Sequence, residues 1–417
     1  MSKGIVFKKS VLRWLLVRLI SPRFPSFSCG SLSCIDFTEV QQPILPTPEW
    51  VRIKPVLSGI CGSDTATIMC KGSPYFSPLT STPFILGHEV VGVVKECGNN
   101  VPSYIKPGMR VVVEPALSCV VRGINPPCEL CSKGMYANCL NVTTGSIKEG
   151  IQTGYCNSTG GGWSQAGLVA HYSQIHPVPD DLEDSVAVLA EPLACAIHGV
   201  MPLFDISPRN ILVIGCGTLG LLSIAAYRIF GGKAKIVATA KYAHQIEFAK
   251  KLGADNVVKA GSGERLYQEV LNILYGENYK HHIHKPEIGK PTVLGGFDCV
   301  IDCVGNDSSI DDALRLTIPT GHTIILGMPS IPRGIDWTTI WYKSLNVRGS
   351  YAYGVEKLPD GTQKKTIQIA LECLAKSPDI FKPLVSRIYP LAEYKKAIMD
   401  AIHAGKTKSV KIAFRID

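Results

Sequence analysis

Four cysteines stand close together in one stretch of the chain: Cys119, Cys128, Cys131 and Cys139. Four thiolates in a polar loop make a closed structural zinc set, which orders a segment unable to pack by itself. A second group is dispersed. Cys61 lies in Gly59-Ile60-Cys61-Gly62-Ser63-Asp64, His88 and Glu89 in Gly87-His88-Glu89, and Glu191 in Glu191-Pro192-Leu193. Taken singly, each is more often structural, since a lone Cys in an apolar segment is usually core. Taken together at Gly-rich turns, a thiolate, an imidazole and a carboxylate are the donors that hold a catalytic zinc and leave one position for water or substrate. Chance clustering of free thiols and a nucleic-acid-binding ribbon compete for the four-Cys loop. Basic and aromatic residues do not interleave there, which weighs against the ribbon.

A third pattern can bind phosphate. Ile211-Leu212-Val213-Ile214 is an apolar strand running into Gly215-Cys216-Gly217-Thr218-Leu219-Gly220 and then a helical pattern. The three glycines permit a tight turn, close approach of backbone to pyrophosphate and packing of helix on strand. The helix N-terminus supplies N–H donors and a positive dipole end. The competing reading is a plain turn in an α/β sheet. An acidic residue about 20 positions beyond the glycines normally takes the ribose hydroxyls of NAD. Here that place is Ala240 followed by Lys241, and no Asp or Glu occurs from Ile211 to Ile246. A lysine can pair with a 2′-phosphate, so NADP is favoured over NAD.

The elements that position these residues fall into two textures. Residues 35–115 hold short β-rich runs with Gly/Pro punctuation, among them Trp50–Ile53, Val90–Val94 and Met109–Glu114, the pattern of a small, partly closed β-structure. Residues 116–163 are Cys- and Gly-rich without periodicity. From Ile211 strand and helix alternate: strands at Ile211–Ile214, Lys235–Thr239, Cys299–Asp302, Thr323–Leu326 and Val347–Tyr351, with helices at Thr218–Phe230 and His244–Leu252. This predicts a parallel sheet with crossover helices. A further helix near Lys365–Ala375 precedes β-like segments ending at Lys411–Phe414. The stretch Tyr279–Gly296, with His281, His282 and His284, reads as a surface insertion rather than a metal site.

Composition bounds the rest. The 417 residues are 46% hydrophobic and 18% charged, which argues against disorder, collagen and coiled coil. The longest uncharged apolar run, Ile211 to Tyr227, is too short and too interrupted by Gly to span a bilayer. Fifteen cysteines in a chain of this length, clustered only at 119–139, suit metal in a reducing compartment better than a disulfide framework. The net charge of +9 resides mainly in an acid-free arm before Asp36 that carries Lys3, Lys8, Lys9, Arg13, Arg18 and Arg23. No later basic run suggests nucleic acid as a partner. The arm reads either as a mitochondrial presequence or, more simply, as a first strand at Gly4–Phe7 and a short helix; the expected location is cytoplasmic, with mitochondrial import the minority reading.

These motifs, in this order, resemble the medium-chain zinc-dependent alcohol dehydrogenases, and most closely their polyol and threonine dehydrogenase-like branch, which also carries a Glu-Pro-Leu segment. The resemblance runs from about residue 35 to the C-terminus. It implies an α/β chain in which a GroES-like β-rich catalytic domain, built from residues 1–186 and 347–417, flanks a Rossmann doubly wound parallel sheet at 187–346. It implies that Cys61, His88 and either Glu89 or Glu191 hold catalytic zinc, with the two glutamates exchanging places, and that Ser63 bonds the substrate hydroxyl and takes its proton. The implied reaction passes hydride between a small alcohol or carbonyl substrate and NAD(P), in a homotetramer or homodimer. A zinc-independent NADPH reductase of the same fold and a non-catalytic dinucleotide-binding protein are the rivals; the full set of donors speaks against the first. Three departures stand out. Eight residues separate Cys119 from Cys128, with Asn125 in the expected place of a cysteine. Ala66 stands where many relatives have His, and the N-terminal arm is longer than the common start.

Overall fold

The computed structural model describes residues 1–358 and 361–417. They form two compact units, Met1–Ala194 with Tyr353–Asp417, and Cys195–Ala352. The first division falls after Ala194, inside the helix Ala190–Val200 that contains the Glu-Pro-Leu segment, where the sequence reading places it after residue 186; the second falls after Ala352, where the reading places it after residue 346.

The core of the first unit is a seven-stranded sheet. Its order is Val385–Pro390, Lys411–Arg415, Trp50–Gly59, Val90–Cys97, Arg110–Val113 and Ile175–Pro177, with Leu168–His171 pairing the far half of Trp50–Gly59. Trp50–Gly59 is central, and Trp50, Val51 and Ile53 are fully buried, as β-branched and aromatic residues on a pleated surface covered on both sides should be. Both ends of the chain therefore build one sheet. The N-terminal arm adds a second. Lys3–Phe7 lies between Ile35–Glu39 and Phe84–Ile85, and Ile5 and Phe7 enter a cluster with Val17, Trp163 and Phe414. Helix Val11–Ile20 follows, its first turn capped by the Ser10 hydroxyl, which accepts from Arg13 N–H. In this fold the arm is a strand and helix with one face in the core.

The second unit is a six-stranded parallel sheet in the order Asn256–Lys259, Lys235–Ala240, Asn210–Ile214, Phe297–Asp302, Thr317–Ile325, Asn346–Gly349. Numbered along the chain this is 3-2-1-4-5-6, the doubly wound order in which the strand sequence reverses beside the first strand. Asn256–Lys259 is a half-exposed edge strand too short to show an alternation, while helices Glu264–Tyr275 and Asp307–Leu316 are amphipathic, burying Leu266, Tyr267, Val270 and Leu271 on one and Ile310, Ala313, Leu314 and Leu316 on the other. The Tyr279–Gly296 stretch forms a 3₁₀ turn and a hairpin pairing Ile283–His284 with Thr292–Val293, and no metal-binding group of its three histidines occurs among the described residues. No described helix is long and apolar enough to cross a membrane.

Candidate functional site

The register of two strands assembles the first donor set. Trp50–Gly59 runs antiparallel to Val90–Cys97 with Ser58 opposite Val90, and Gly59 N–H donates to the Glu89 carbonyl at 2.8 Å. Residues leaving the first strand thus meet residues entering the second. The Cys61 Sγ, a His88 ring nitrogen and a Glu89 carboxylate oxygen lie within 4.8 Å of one another. Only glycine fits at 59, since a Cβ there would stand 1.8 Å from Glu89 Oε2.

Two further residues hold these donors in place. Asp64, fully buried in the first turn of helix Gly62–Ile68, accepts from Cys61 N–H at 2.9 Å through Oδ2, and its Oδ1 is 3.4 Å from His88 Nδ1. The opposite ring nitrogen, Nε2, lies 3.5 Å from Ser63 Oγ. Burial resists a charge on His88, but the Asp64 carboxylate and the adjoining Cys61 raise its pKa well above the usual imidazole range. Lys411 comes from the other end of the chain, where Lys411–Arg415 pairs with Trp50–Gly59. Its Nζ donates to Glu89 Oε1 at 2.5 Å and to the Ile60 carbonyl at 3.2 Å. Burial works against its charge, yet Glu89, Cys61 and Glu191 hold its pKa above the ordinary lysine value.

This chemistry fits a zinc ion. Glu89 Oε2 is buried with no hydrogen-bond partner among the described residues, a state that costs about 1–3 kcal/mol unless a cation or donor satisfies it. Sulfur, nitrogen and oxygen donors converge there, His88 and Glu89 buried and Cys61 partly open, as suits a catalytic zinc that keeps one position for water or substrate. The group found among the described residues does not include Glu191. That residue is buried in the first turn of helix Ala190–Val200, its charge felt by Lys411.

The four cysteines meet as well. Ligand atoms of Cys119, Cys128, Cys131 and Cys139 all lie within 4.8 Å, so Cys119 reaches the set despite the longer gap after it. Cys119 Sγ accepts from Cys128 N–H and from Asn141 Nδ2, and Cys139 Sγ from Asn141 N–H, each at 3.3 Å. Slight burial opposes ionisation of Cys128, but N–H groups of Leu140 and Cys131 pull its pKa down to about 6. Burial and the adjoining thiols push Cys131 and Cys139 upward, the latter to about 11. Thiols this close cannot all ionise unless a cation sits among them, which is the behaviour of a zinc site. Arg122, 1% exposed, underpins the loop: its guanidinium donates to the carbonyls of Leu117, Thr144, Ile147, Lys148 and Gly150 at 2.6–3.4 Å.

In the second unit, Asn210–Ile214 leads through Gly215 and Cys216 to helix Thr218–Ile229, with Gly217 as its N-cap. A Cβ on Gly220 would lie 1.9 Å from the Gly215 carbonyl, so helix and strand approach closely only without one; a Cβ on Gly217 would meet nothing within 4 Å. That open space in front of helix N–H groups, at the point where strand order reverses, fits a pyrophosphate. Thr218 and Leu219 open the helix. Ala240 is buried at the end of Lys235–Ala240, while Lys241 beyond it is exposed, with Nζ 5.7 Å from the Tyr242 ring centroid.

Sequence reading missed the supporting residues Asp64, Lys411 and Arg122. Asp64 sits inside the Gly59–Asp64 motif and could have been found there by its helix-opening position. Nothing local marks Lys411 or Arg122.

Two family models match the chain. One, described as the alcohol dehydrogenase GroES-like domain, matches residues 47–180; the other, described as zinc-binding dehydrogenase, matches 218–376. Similar characterised proteins include L-idonate 5-dehydrogenase of Vitis vinifera, 25% identical over 91% of this chain and 92% of that protein. D-arabitol-phosphate dehydrogenase of Enterococcus avium is 28% identical over 87% of this chain and 89% of its own length. Among solved structures, L-idonate 5-dehydrogenase of Escherichia coli superposes with a TM-score of 0.69 at 21% identity, covering 99% of this chain and 98% of that one.

Proposed function

The chain belongs to the medium-chain zinc-dependent alcohol dehydrogenase family and is an NAD(P)-linked oxidoreductase acting on the CH–OH group of small molecules, and we propose that Cys61, His88 and Glu89 are the residues on which that reaction turns. The single observation that carries this reading is the convergence of their ligand atoms within 4.8 Å, with Glu89 Oε2 buried and without a hydrogen-bond partner among the described residues. Zinc bound there would act as a Lewis acid that makes a substrate hydroxyl more acidic. Ser63 Oγ, beside His88 Nε2, accepts the hydroxyl proton. Asp64 fixes the His88 ring, so that Nε2 rather than Nδ1 faces the reacting group. Lys411 holds one oxygen of Glu89 and leaves the other for the metal; Glu191 is the carboxylate with which Glu89 would exchange. The Cys119, Cys128, Cys131 and Cys139 loop holds a second, structural zinc.

The polyhydroxylated compounds in the relatives' names, L-idonate and D-arabitol phosphate, support a polyol or other secondary alcohol as substrate. Exposed Lys241 and the acid-free segment after Gly220 support NADP over NAD. Asn346–Gly349 is an exposed edge strand of the second unit, and Trp337, Trp341 and Tyr342 lie exposed just before it. Such an edge with an apolar border supports pairing with a second copy, in a dimer or tetramer. Ile5 and Phe7 of strand Lys3–Phe7 pack into the core, which supports the arm as part of the fold.

The test is zinc per chain by elemental mass spectrometry, with a polyol panel read at 340 nm. The wild type should carry two zinc ions and Cys61→Ser one, with turnover lost and coenzyme binding kept. Retained turnover in Cys61→Ser overturns the assignment.

A further inference from the structure

Helix Val11–Ile20 is turned the wrong way round for a helix that faces only water. Val17 is its buried contact with the core, with Trp14 packed beside it. The opposite face should be polar. Instead Val11, Leu12, Leu15 and Leu19 form one stripe about 100° wide on the helical wheel, and they are 69%, 70%, 54% and 79% exposed. Phe24, just past the helix end, is 61% exposed. Four aliphatic side chains on the outer face of one ten-residue helix add nothing to folding and mark a surface that something covers.

The charge around the stripe selects what covers it. No acidic residue precedes Asp36, and the helix is flanked by Lys8 and Lys9 before it and Arg23 after it, with Arg13 and Arg18 along it. Lys8 pairs with Asp36 at 3.0 Å; Lys9, Arg13, Arg18 and Arg23 have no acidic partner among the described residues. Arg13 and Arg18 donate to the carbonyls of Ser33 and Cys70, which orients them without neutralising them. A second copy laid on this face would bring two positive arms together. An apolar stripe bordered by uncompensated cations matches an acyl boundary beneath anionic headgroups.

We propose that helix Val11–Ile20 lies in the plane of an anionic lipid surface, docking the enzyme on a membrane without spanning it. Lysine and arginine attract the surface, and Val11, Leu12, Leu15 and Leu19 enter the headgroup boundary.

The full-length, zinc-loaded protein is floated with phosphatidylcholine vesicles with or without about 30 mol% phosphatidylserine. The expected result is flotation with the phosphatidylserine vesicles, weakened by high salt. Leu12→Ser, Leu15→Ser and Leu19→Ser combined should lower the partition coefficient about tenfold or more, with dehydrogenase turnover unchanged because these side chains touch neither donor set. Lys9→Gln with Arg23→Gln should weaken binding to phosphatidylserine vesicles while leaving the apolar stripe intact. A wild type that stays in solution overturns the proposal, as does equal flotation of wild type and triple variant. A wild-type oligomer that the triple variant dissociates, seen by light scattering without vesicle binding, shows instead that a second copy covers the stripe.

Discussion

Arg122 offers the sharpest test of how the four-Cys loop is held. Its guanidinium is buried without a carboxylate partner among the described residues and reaches five carbonyls, of which those of Leu117, Ile147 and Gly150 are in buried contacts and those of Thr144 and Lys148 are partly open to water. Arg122→Met keeps the stem packing and removes every donor. Water can replace the donor at the two open carbonyls. The three buried ones lose a partner, at about 1 kcal/mol each, so the closed loop should weaken by about 3 kcal/mol. That is roughly a hundredfold in the equilibrium for opening it. The assay is zinc transfer to a chromophoric chelator in a Cys61→Ser background, where the loop zinc is the one counted. With opening ahead of capture, release from Arg122→Met should be about a hundredfold faster than from the parent, while a wild-type-like far-ultraviolet spectrum confirms that the sheet persists. Release within about threefold of the parent would refute the claim that these carbonyl bonds close the loop.

Two other outcomes follow from single groups. Burial works against the Glu114 charge, but the hydrogen bond from His176 at 3.3 Å and the Lys365 ammonium at 2.6 Å hold its pKa down to about 2, against 4.5 for a free glutamate. The folded value is the lower one, so the stabilisation, about 3 kcal/mol, is present above about pH 4.5 and lost as pH falls toward 2; Glu114→Gln should flatten the acid side of the thermal midpoint profile relative to wild type, and an unchanged slope would count against it. Lys241→Ala should shift the ratio of kcat/KM for NADP over NAD about tenfold toward NAD, and an unmoved ratio would show that Lys241 does not meet the 2′-phosphate.

Motifs whose chemistry is local were legible from the residues alone. The Gly215–Gly220 turn, the strand before it and the helix after it are set by neighbours in sequence, because steric limits on Cβ and the 3.6-residue period act over a few positions. The same holds for the alternating strands and helices of the second unit and for Cys128 and Cys131 with Cys139 nearby, a spacing that points to metal. The half-exposed strand Asn256–Lys259 was less legible, since four residues at a sheet edge carry too little pattern to mark a strand.

What only the tertiary structure decided is which distant residues meet. Sequence offered Glu89 and Glu191 as equals; the antiparallel register of Ser58 with Val90 puts Glu89 against Cys61 and His88. Lys411 reaches Glu89 because the last strand pairs with Trp50–Gly59, a contact between residues 322 positions apart. Cys119 joins Cys128 across an enlarged gap, and Arg122 within that gap binds carbonyls on both flanks of the four-Cys loop, Leu117 before it and Thr144 to Gly150 after it. Hydrogen-bond register and buried charge pairing are properties of the packed chain. They choose among residues that composition and spacing leave equivalent.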